Sequence, residues 1–157
     1  MRNDLTEAQI QALREENIGR LFLRAHRAFG ELAYEKLHKR GHDGLSIVHT
    51  ALLAHLDMHG TQVTTLADRA GITKQAMGRL VDELESKGYV ESAPDPTDGR
   101  AKRVTFTERG WQFLTDAYEV KLEIEVAYSS ILGEDGMVQL RAALEKLLEN
   151  ASTSADL

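Results

Sequence analysis

No cysteine occurs in the 157 residues of this chain. Disulfides, cysteine-ligated zinc and thiol redox switching are excluded together, and the composition suits a reducing compartment. Long apolar runs are missing too, since nothing approaches the ~20 residues that span a bilayer. The opening stretch MRNDLTEAQIQALREEN is polar and holds no apolar signal-peptide core, so a cytoplasmic chain with no membrane partner is expected. Internal repeats and low-complexity tracts are absent. So are a phosphate-binding loop, an H-E-x-x-H pattern and a nucleophile–base constellation, which argues against an enzyme; no cofactor and no catalytic residue are expected. Proline is scarce, and both copies, Pro94 and Pro96, fall in one short stretch.

Positive charge is in deficit. The net charge is −6, yet residues 1–60 hold 8 Lys+Arg and 8 Asp+Glu, residues 61–110 again 8 and 8, and residues 111–157 only 3 against 9. The whole imbalance therefore lies in the last segment. A nucleic-acid-facing surface, if present, is locally basic and sits before residue 111, with modest and salt-sensitive nonspecific affinity.

What the chain has in quantity is helical periodicity. Thr6-Glu7-Ala8-Gln9 fits a capping box. After it, Ile10, Leu13, Ile18, Leu21, Phe22, Ala25, Phe29, Leu32, Ala33 and Leu37 predict one long amphipathic helix ending near Gly41 or Gly44. A second helix carries Leu45, Val48, Leu52, Leu53 and Leu56 and is expected to end at Gly60. Two short helices follow, around 66–70 and 76–84, divided by Gly71 and closed by Gly88. The period then changes. Tyr89–Ala93 and Val104–Phe106 read as strands, and the turn-rich segment from Pro94 to Gly99 between them makes a hairpin. Thr107 is placed to cap a further long helix carrying Trp111, Leu114, Tyr118, Leu122, Tyr128 and Ile131, which Gly133 and Gly136 break before a last helix with Met137, Leu140, Leu144, Leu147 and Leu148. The tail ASTSADL is expected to fray.

The fold class expected is mainly α with a small β-hairpin. Residues 1–44 form an N-terminal dimerisation helix, 45–110 the central domain, and 111–157 the C-terminal dimerisation helices. The outer helices carry broader apolar stripes than the chain itself covers, which points to a homodimer.

The pair of short helices carries the functional signal. Thr65-Leu66-Ala67-Asp68 resembles a capping box for the first, and Thr73 is a good N-cap for the second. Ala76, Leu80, Val81 and Leu84 are expected to face inward, leaving Lys74, Gln75, Gly78, Arg79 and Asp82 outside. Two short helices joined at a glycine form a helix-turn-helix, whose second helix enters the DNA major groove. Lys74, Gln75 and Arg79 are side chains able to read base edges. Gly78 permits close backbone approach, and Thr73 with the helix N-terminus suits a phosphate. The same helix pair also occurs in proteins that bind no DNA; the hairpin directly after it turns the unit into a winged helix. Asp98, Arg100, Lys102 and Arg103 sit on that wing, with Arg100 suited to a narrow minor groove and Asp98 to bracing it.

These residues resemble the MarR family of bacterial transcriptional regulators. The resemblance rests on Leu66-Ala67-Asp68-Arg69-Ala70-Gly71-Ile72, Lys74-Gln75, Arg79-Leu80-Val81, Leu84-Glu85, Lys87-Gly88-Tyr89-Val90 and the wing run Asp95-Pro96-Thr97-Asp98-Gly99-Arg100 followed by Val104, Thr107 and Gly110. It implies a winged helix-turn-helix on a helical dimerisation base. It further implies a homodimer on pseudo-palindromic double-stranded DNA, usually a repressor, with many members releasing DNA when a small effector binds. Thr73, Lys74, Gln75, Gly78 and Arg79 take the major-groove role and Arg100, oriented by Asp98, the minor-groove role. Thr97 departs from the pattern, since many members carry arginine there. The effector cavity implied by the resemblance would be lined by His26 and His49, although a hydrogen-bonded core histidine is the preferred reading of His49. Without cysteine, the peroxide-sensing branch of the family is excluded unless methionine serves.

Two other readings compete. A winged helix can bind protein in place of DNA, which the overall acidity favours. The pairs His38/His42 and His55/His59, each four residues apart, could instead serve a metal-responsive regulator. A place near a helix C-terminus explains histidines there without any metal, and no metal site is expected. Trp111, Tyr118 and Tyr128 are read as core and dimer packing.

Overall fold

A computed structural model describes residues 6–151. Helix α1 spans Glu7–Glu16 and α2 Ile18–Leu37, followed by a kinked turn, His38–His42, in which Gly41 is left-handed (φ 95°). After α3 (Ile47–His55) and a short strand β1 (Thr61–Gln62) come α4 (Val63–Ala70) and α5 (Lys74–Ser86). Strands β2 (Val90–Pro94) and β3 (Lys102–Phe106) follow, then α6 (Glu108–Leu132) and α7 (Glu134–Ala151). The chain forms two compact units, Met1–Ala117 and Tyr118–Leu157. No helix among the described residues is long and apolar enough to cross a membrane.

Local chemistry sets most helix ends. Thr6 and Gln9 make the expected capping box at α1. The single long helix expected after it is instead two. Asn17 adopts an extended conformation (φ −67°, ψ 121°) and its side chain accepts from the Gly19 N–H at 2.8 Å. An asparagine that bonds nearby backbone in this way competes with the helical ladder and restarts it. Helix α3 begins with a second capping box, Ser46 with His49. It stops at His55, short of Gly60, because Leu56 turns extended and the Asp57 N–H donates to the Thr61 hydroxyl at 2.9 Å.

That early stop releases β1, which the sequence pattern did not reveal. The sheet is antiparallel in the order β1-β3-β2, with Thr61 opposite Val104, Gln62 opposite Arg103, and Val90 opposite Phe106. Gly60 makes the close approach possible. Its φ is +85°, and a Cβ there would lie 2.8 Å from the Val104 carbonyl oxygen. In the first unit, Leu53, Leu66, Leu84, Tyr89 and Val104 are fully buried; each large apolar side chain removed from water contributes about 1.5–3 kcal/mol.

Helix α4 starts at Val63, so Thr65 lies inside it and the expected capping box does not form; Gln62 takes the N-cap position without a side-chain bond. Gly71 closes the helix in the left-handed region (φ 65°), and Thr73 caps α5 by accepting from the Ala76 N–H at 3.2 Å. The buried face of α5 is Met77, Val81 and Leu84, with Leu80 half-buried and Ala76 exposed. Thr107 accepts from the Gly110 N–H at 3.1 Å at the start of α6. Gly133 ends that helix (φ 75°), whereas Gly136 sits within the first turn of α7. Trp111 and Tyr118 are exposed and Tyr128 half-buried, so none is core within this chain.

Candidate nucleic-acid interface

Helix α5 presents its first turns to solvent. Thr73, Lys74, Gln75 and Arg79 are exposed and Gly78 is half-buried. Behind them α4 and α5 meet at the Gly71 turn, where the Ile72 N–H donates to the Ala67 carbonyl at 3.0 Å. The support extends back to α3. Arg69 donates to the His55 carbonyl at 2.8 Å and pairs with Asp57 at 3.0 Å, which holds the Asp57 carboxyl below its ordinary range.

The hairpin β2–β3 is closed at its tip by backbone bonds, Asp95 N–H to Ala101 O and Ala101 N–H to Asp98 O, both 2.9 Å. Asp98 braces Arg100 through the main chain: its carboxylate accepts the Arg100 backbone N–H at 3.1 Å, and the guanidinium stays out of that contact. Arg100 and Lys102 are exposed. Between α5 and the wing lies a groove of about 290 Å³ lined by Lys74, Gly78, Asp82, Arg100 and Lys102 among others. Helix and wing residues that the sequence reading placed on separate elements thus share one concave surface. Among the described residues, the charged ends of Lys74, Arg79, Arg100 and Lys102 have no hydrogen-bond or ion-pair partner. Elsewhere, Arg20, Arg24, Lys39 and Lys87 also have free charged ends but lie away from this groove's lining, while Arg27, Arg69 and Arg141 are each ion-paired.

Arg103 belongs to that engaged group. Its side chain turns inward, donating to Asp95 at 3.1 Å and to the His59 carbonyl at 3.2 Å, so it supports the wing and does not face outward as the sequence reading had it. Thr97 is likewise occupied: its hydroxyl donates to Asp95 at 2.6 Å and its N–H at 2.8 Å.

The histidines sit apart from this groove. His26 is exposed on α2. His49 is buried, and its Nδ1 accepts the Ser46 backbone N–H at 3.1 Å. The hydrogen therefore lies on Nε2, which donates to Glu83 on α5 at 2.8 Å. His42 is buried between the Tyr89 hydroxyl and Asp116, each at 2.9 Å, with Arg40 on the other carboxylate oxygen at 3.2 Å. Burial pushes the Asp116 carboxyl up, but hydrogen bonds from His42, Gln112 and Arg40 outweigh it and hold the group below its usual range. Spacing alone paired His42 with His38; in the fold His38 turns to the Leu45 carbonyl at 3.4 Å. Among the described residues no cluster of three or more His, Asp or Glu is arranged to hold a metal.

A two-helix unit with a glycine turn, followed at once by a sheet-anchored hairpin, defines a winged helix-turn-helix protein. Residues 43–101 match the family model described as MarR family, and the likeness to that family is carried by this segment. It is similar to the HTH-type transcriptional regulator PetP of Rhodobacter capsulatus, 30% identical over 93 residues that cover 59% of this chain and 55% of that protein. The chain thus spans about half the length of that relative. It is also similar to the transcriptional activatory protein BadR of Rhodopseudomonas palustris, 27% identical over 146 residues covering 85% of this chain and 78% of that one. Among solved structures, a mutant MarR from E. coli complexed with operator DNA shares the fold with a TM-score of 0.69 at 22% identity, covering 87% of this chain and 96% of that one.

Proposed function

We propose that the chain is a sequence-specific regulator that binds a pseudo-palindromic operator as a homodimer, with α5 in the major groove and the wing in the adjacent minor groove. The observation that carries this reading is the set of unpartnered cations, Lys74, Arg79, Arg100 and Lys102, on the helix and wing that border one groove. A DNA backbone strand separates a major from a minor groove, and a cleft with cations on both sides suits it. Lys74, Gln75 and Arg79 contact base edges or phosphates from the first turns of α5, Thr73 and the helix N-terminus hold a phosphate, and Gly78 allows close approach. Arg100 enters the minor groove.

The homodimer is supported by apolar side chains left in solvent, Leu21, Phe22 and Leu23 on α2, and Leu122, Val126 and Ile131 on α6, all at least 42% exposed. In the dimer the two α5 helices stand ~34 Å apart, one turn of DNA. Small-molecule control is part of the proposal. An effector that takes Glu83 away from His49 would cut a direct tie between α3 and the recognition helix. His26 is the other residue we assign to effector contact. The family resemblance favours repression, while the name of BadR favours activation; transcription in vitro with and without the protein reads the sign.

The test is fluorescence anisotropy with the DNA flanking the chain's own gene, beside scrambled DNA, each titrated with salt. Tight, salt-sensitive binding to the native duplex alone is expected. Equal, weak binding to both duplexes would overturn operator recognition at that locus and favour a protein partner for the wing.

A further inference from the structure

The wing tip is exposed from Pro96 to Arg100, yet the residue at its base, Asp95, is only 2% exposed. A buried carboxylate is costly unless donors saturate it. Here four do, and they divide by oxygen. Oδ1 takes the Thr97 N–H at 2.8 Å and the Thr97 hydroxyl at 2.6 Å. Oδ2 takes Gln62 Nε2 at 3.0 Å and Arg103 Nε at 3.1 Å. One oxygen therefore shapes the turn, and the other ties the turn to the rest of the fold. Gln62 lies in β1 and immediately precedes α4, and Arg103 reaches on to the His59 carbonyl at 3.2 Å.

We propose that Asp95 is a positioning residue that acts through Arg100: its Oδ2 bonds fix the angle of the wing against the helix-turn-helix, and so set where the Arg100 guanidinium meets DNA. Past the β2–β3 ladder, backbone bonds close the tip on itself, Asp95 N–H to Ala101 O and Ala101 N–H to Asp98 O, whereas the Oδ2 bonds are the ones that reach from the turn to Gln62 beside α4. The ladder's last pair is Pro94 opposite Lys102, and both prolines flank Asp95 without N–H groups to give. The Thr97 hydroxyl and N–H and the Gln62 amide hold the Asp95 carboxyl well below the ordinary carboxylate range, against burial and with further help from Arg103. It is therefore ionised at neutral pH and accepts from all four donors. Thr97, the departure from the family pattern, holds the other oxygen, Oδ1, and so shapes the turn that the brace positions.

The DNA half of this inference rests on the proposed function; the wing half does not, and the experiment separates them. The chain has no cysteine, and a Cβ at Gly99 meets nothing within 4 Å, so Gly99→Cys takes a single fluorophore at the wing tip. Asp95→Asn keeps an oxygen for Thr97 but sets an NH2 group against Arg103 and Gln62. Without DNA, and at a temperature where circular dichroism shows each variant folded, nanosecond anisotropy decay of the label should show the tip freed in Asp95→Asn. Gln62→Leu, which spares the carboxylate, should free it partly. An unchanged decay in both variants overturns the brace. With a fluorescent duplex selected from a random pool, Asp95→Asn should weaken binding about tenfold, and not at all further once Arg100→Ala is present. Equal weakening in both backgrounds overturns action through Arg100. Failure of the parent to select any duplex overturns the proposed function, and the decay measurement still decides whether Asp95 holds the wing.

Discussion

Residues 45–106 and residues 118–151 are written in the same amphipathic style and end differently. In the first stretch Leu45, Leu52, Leu53, Leu66, Leu84 and Val104 are each at most 3% exposed. In the second, Val120 and Ile124 are buried, but Leu122 is 62% exposed, Val126 68%, Ile131 77% and Leu148 69%. The winged helix closes over its core with three strands, two glycine turns and a set of internal ion pairs. The helical hairpin offers leucines to something outside itself. Periodicity shows which face of a helix is apolar; it does not show whether that face is satisfied by the same chain. In the reading proposed above, a second copy satisfies it.

The sharpest way to break this contrast is to charge the unsatisfied face. Leu144→Glu with Leu147→Glu removes two leucines per protomer, each worth about 2 kcal/mol when buried. The double variant should raise the dimer dissociation constant by at least about a thousandfold, seen by analytical ultracentrifugation, and abolish operator binding with it. A dimer of parental affinity would place the interface elsewhere. Next in size is a strike at the closed region. At Gly110 a Cβ would lie 2.1 Å from the Tyr89 carbonyl oxygen and 3.0 Å from the Phe106 ring. Gly110→Ala should therefore destabilise by about 3 kcal/mol or more, read by denaturant unfolding. Arg100→Ala should leave unfolding unchanged and weaken operator binding by about 1–3 kcal/mol; unaltered affinity would remove the wing from recognition. Removing the α5 cap with Thr73→Ala should cost about 1 kcal/mol in the same unfolding assay.

Acid gives a separate test of the bonds that close this region. Asp95 and Asp116 titrate lower in the folded chain than an ordinary carboxyl. Their stabilisation is therefore complete above about pH 4 and lost as pH falls through the folded values. Thermal unfolding followed into acid should show this decline, and Asp95→Asn should flatten it.

Much of the winged helix was legible because its punctuation is local. Gly71, Thr73 and Thr107 act on groups within a few residues, and each was placed where it functions. What escaped was non-local or too short. Strand β1 has two residues, below any period. Asn17 breaks a helix whose apolar spacing continues straight through it. The buried face of α5 was read as beginning at Ala76 when Met77 begins it, because apolar neighbours at the start of a helix leave its phase open. Thr65 imitates a cap because a threonine three residues before an aspartate says nothing about Val63, which is drawn into the core ahead of it. Asp95 looked like one turn residue among several. Its partners Gln62 and Arg103 stand 33 and 8 positions away, and only a folded hairpin brings them together. The inward turn of Arg103 escaped for the same reason.

The bonds that close the wing have a consequence for entropy. A free loop that orders on its target gives up conformational freedom at the moment of binding, and its affinity falls accordingly. Here the turn from Asp95 to Ala101 is ordered by backbone and side-chain bonds made within the chain. The loss is taken during folding. In the proposed complex, the ordering left for docking is chiefly that of one long side chain, Arg100, so little of the free energy of the proposed minor-groove contact goes into shaping the turn.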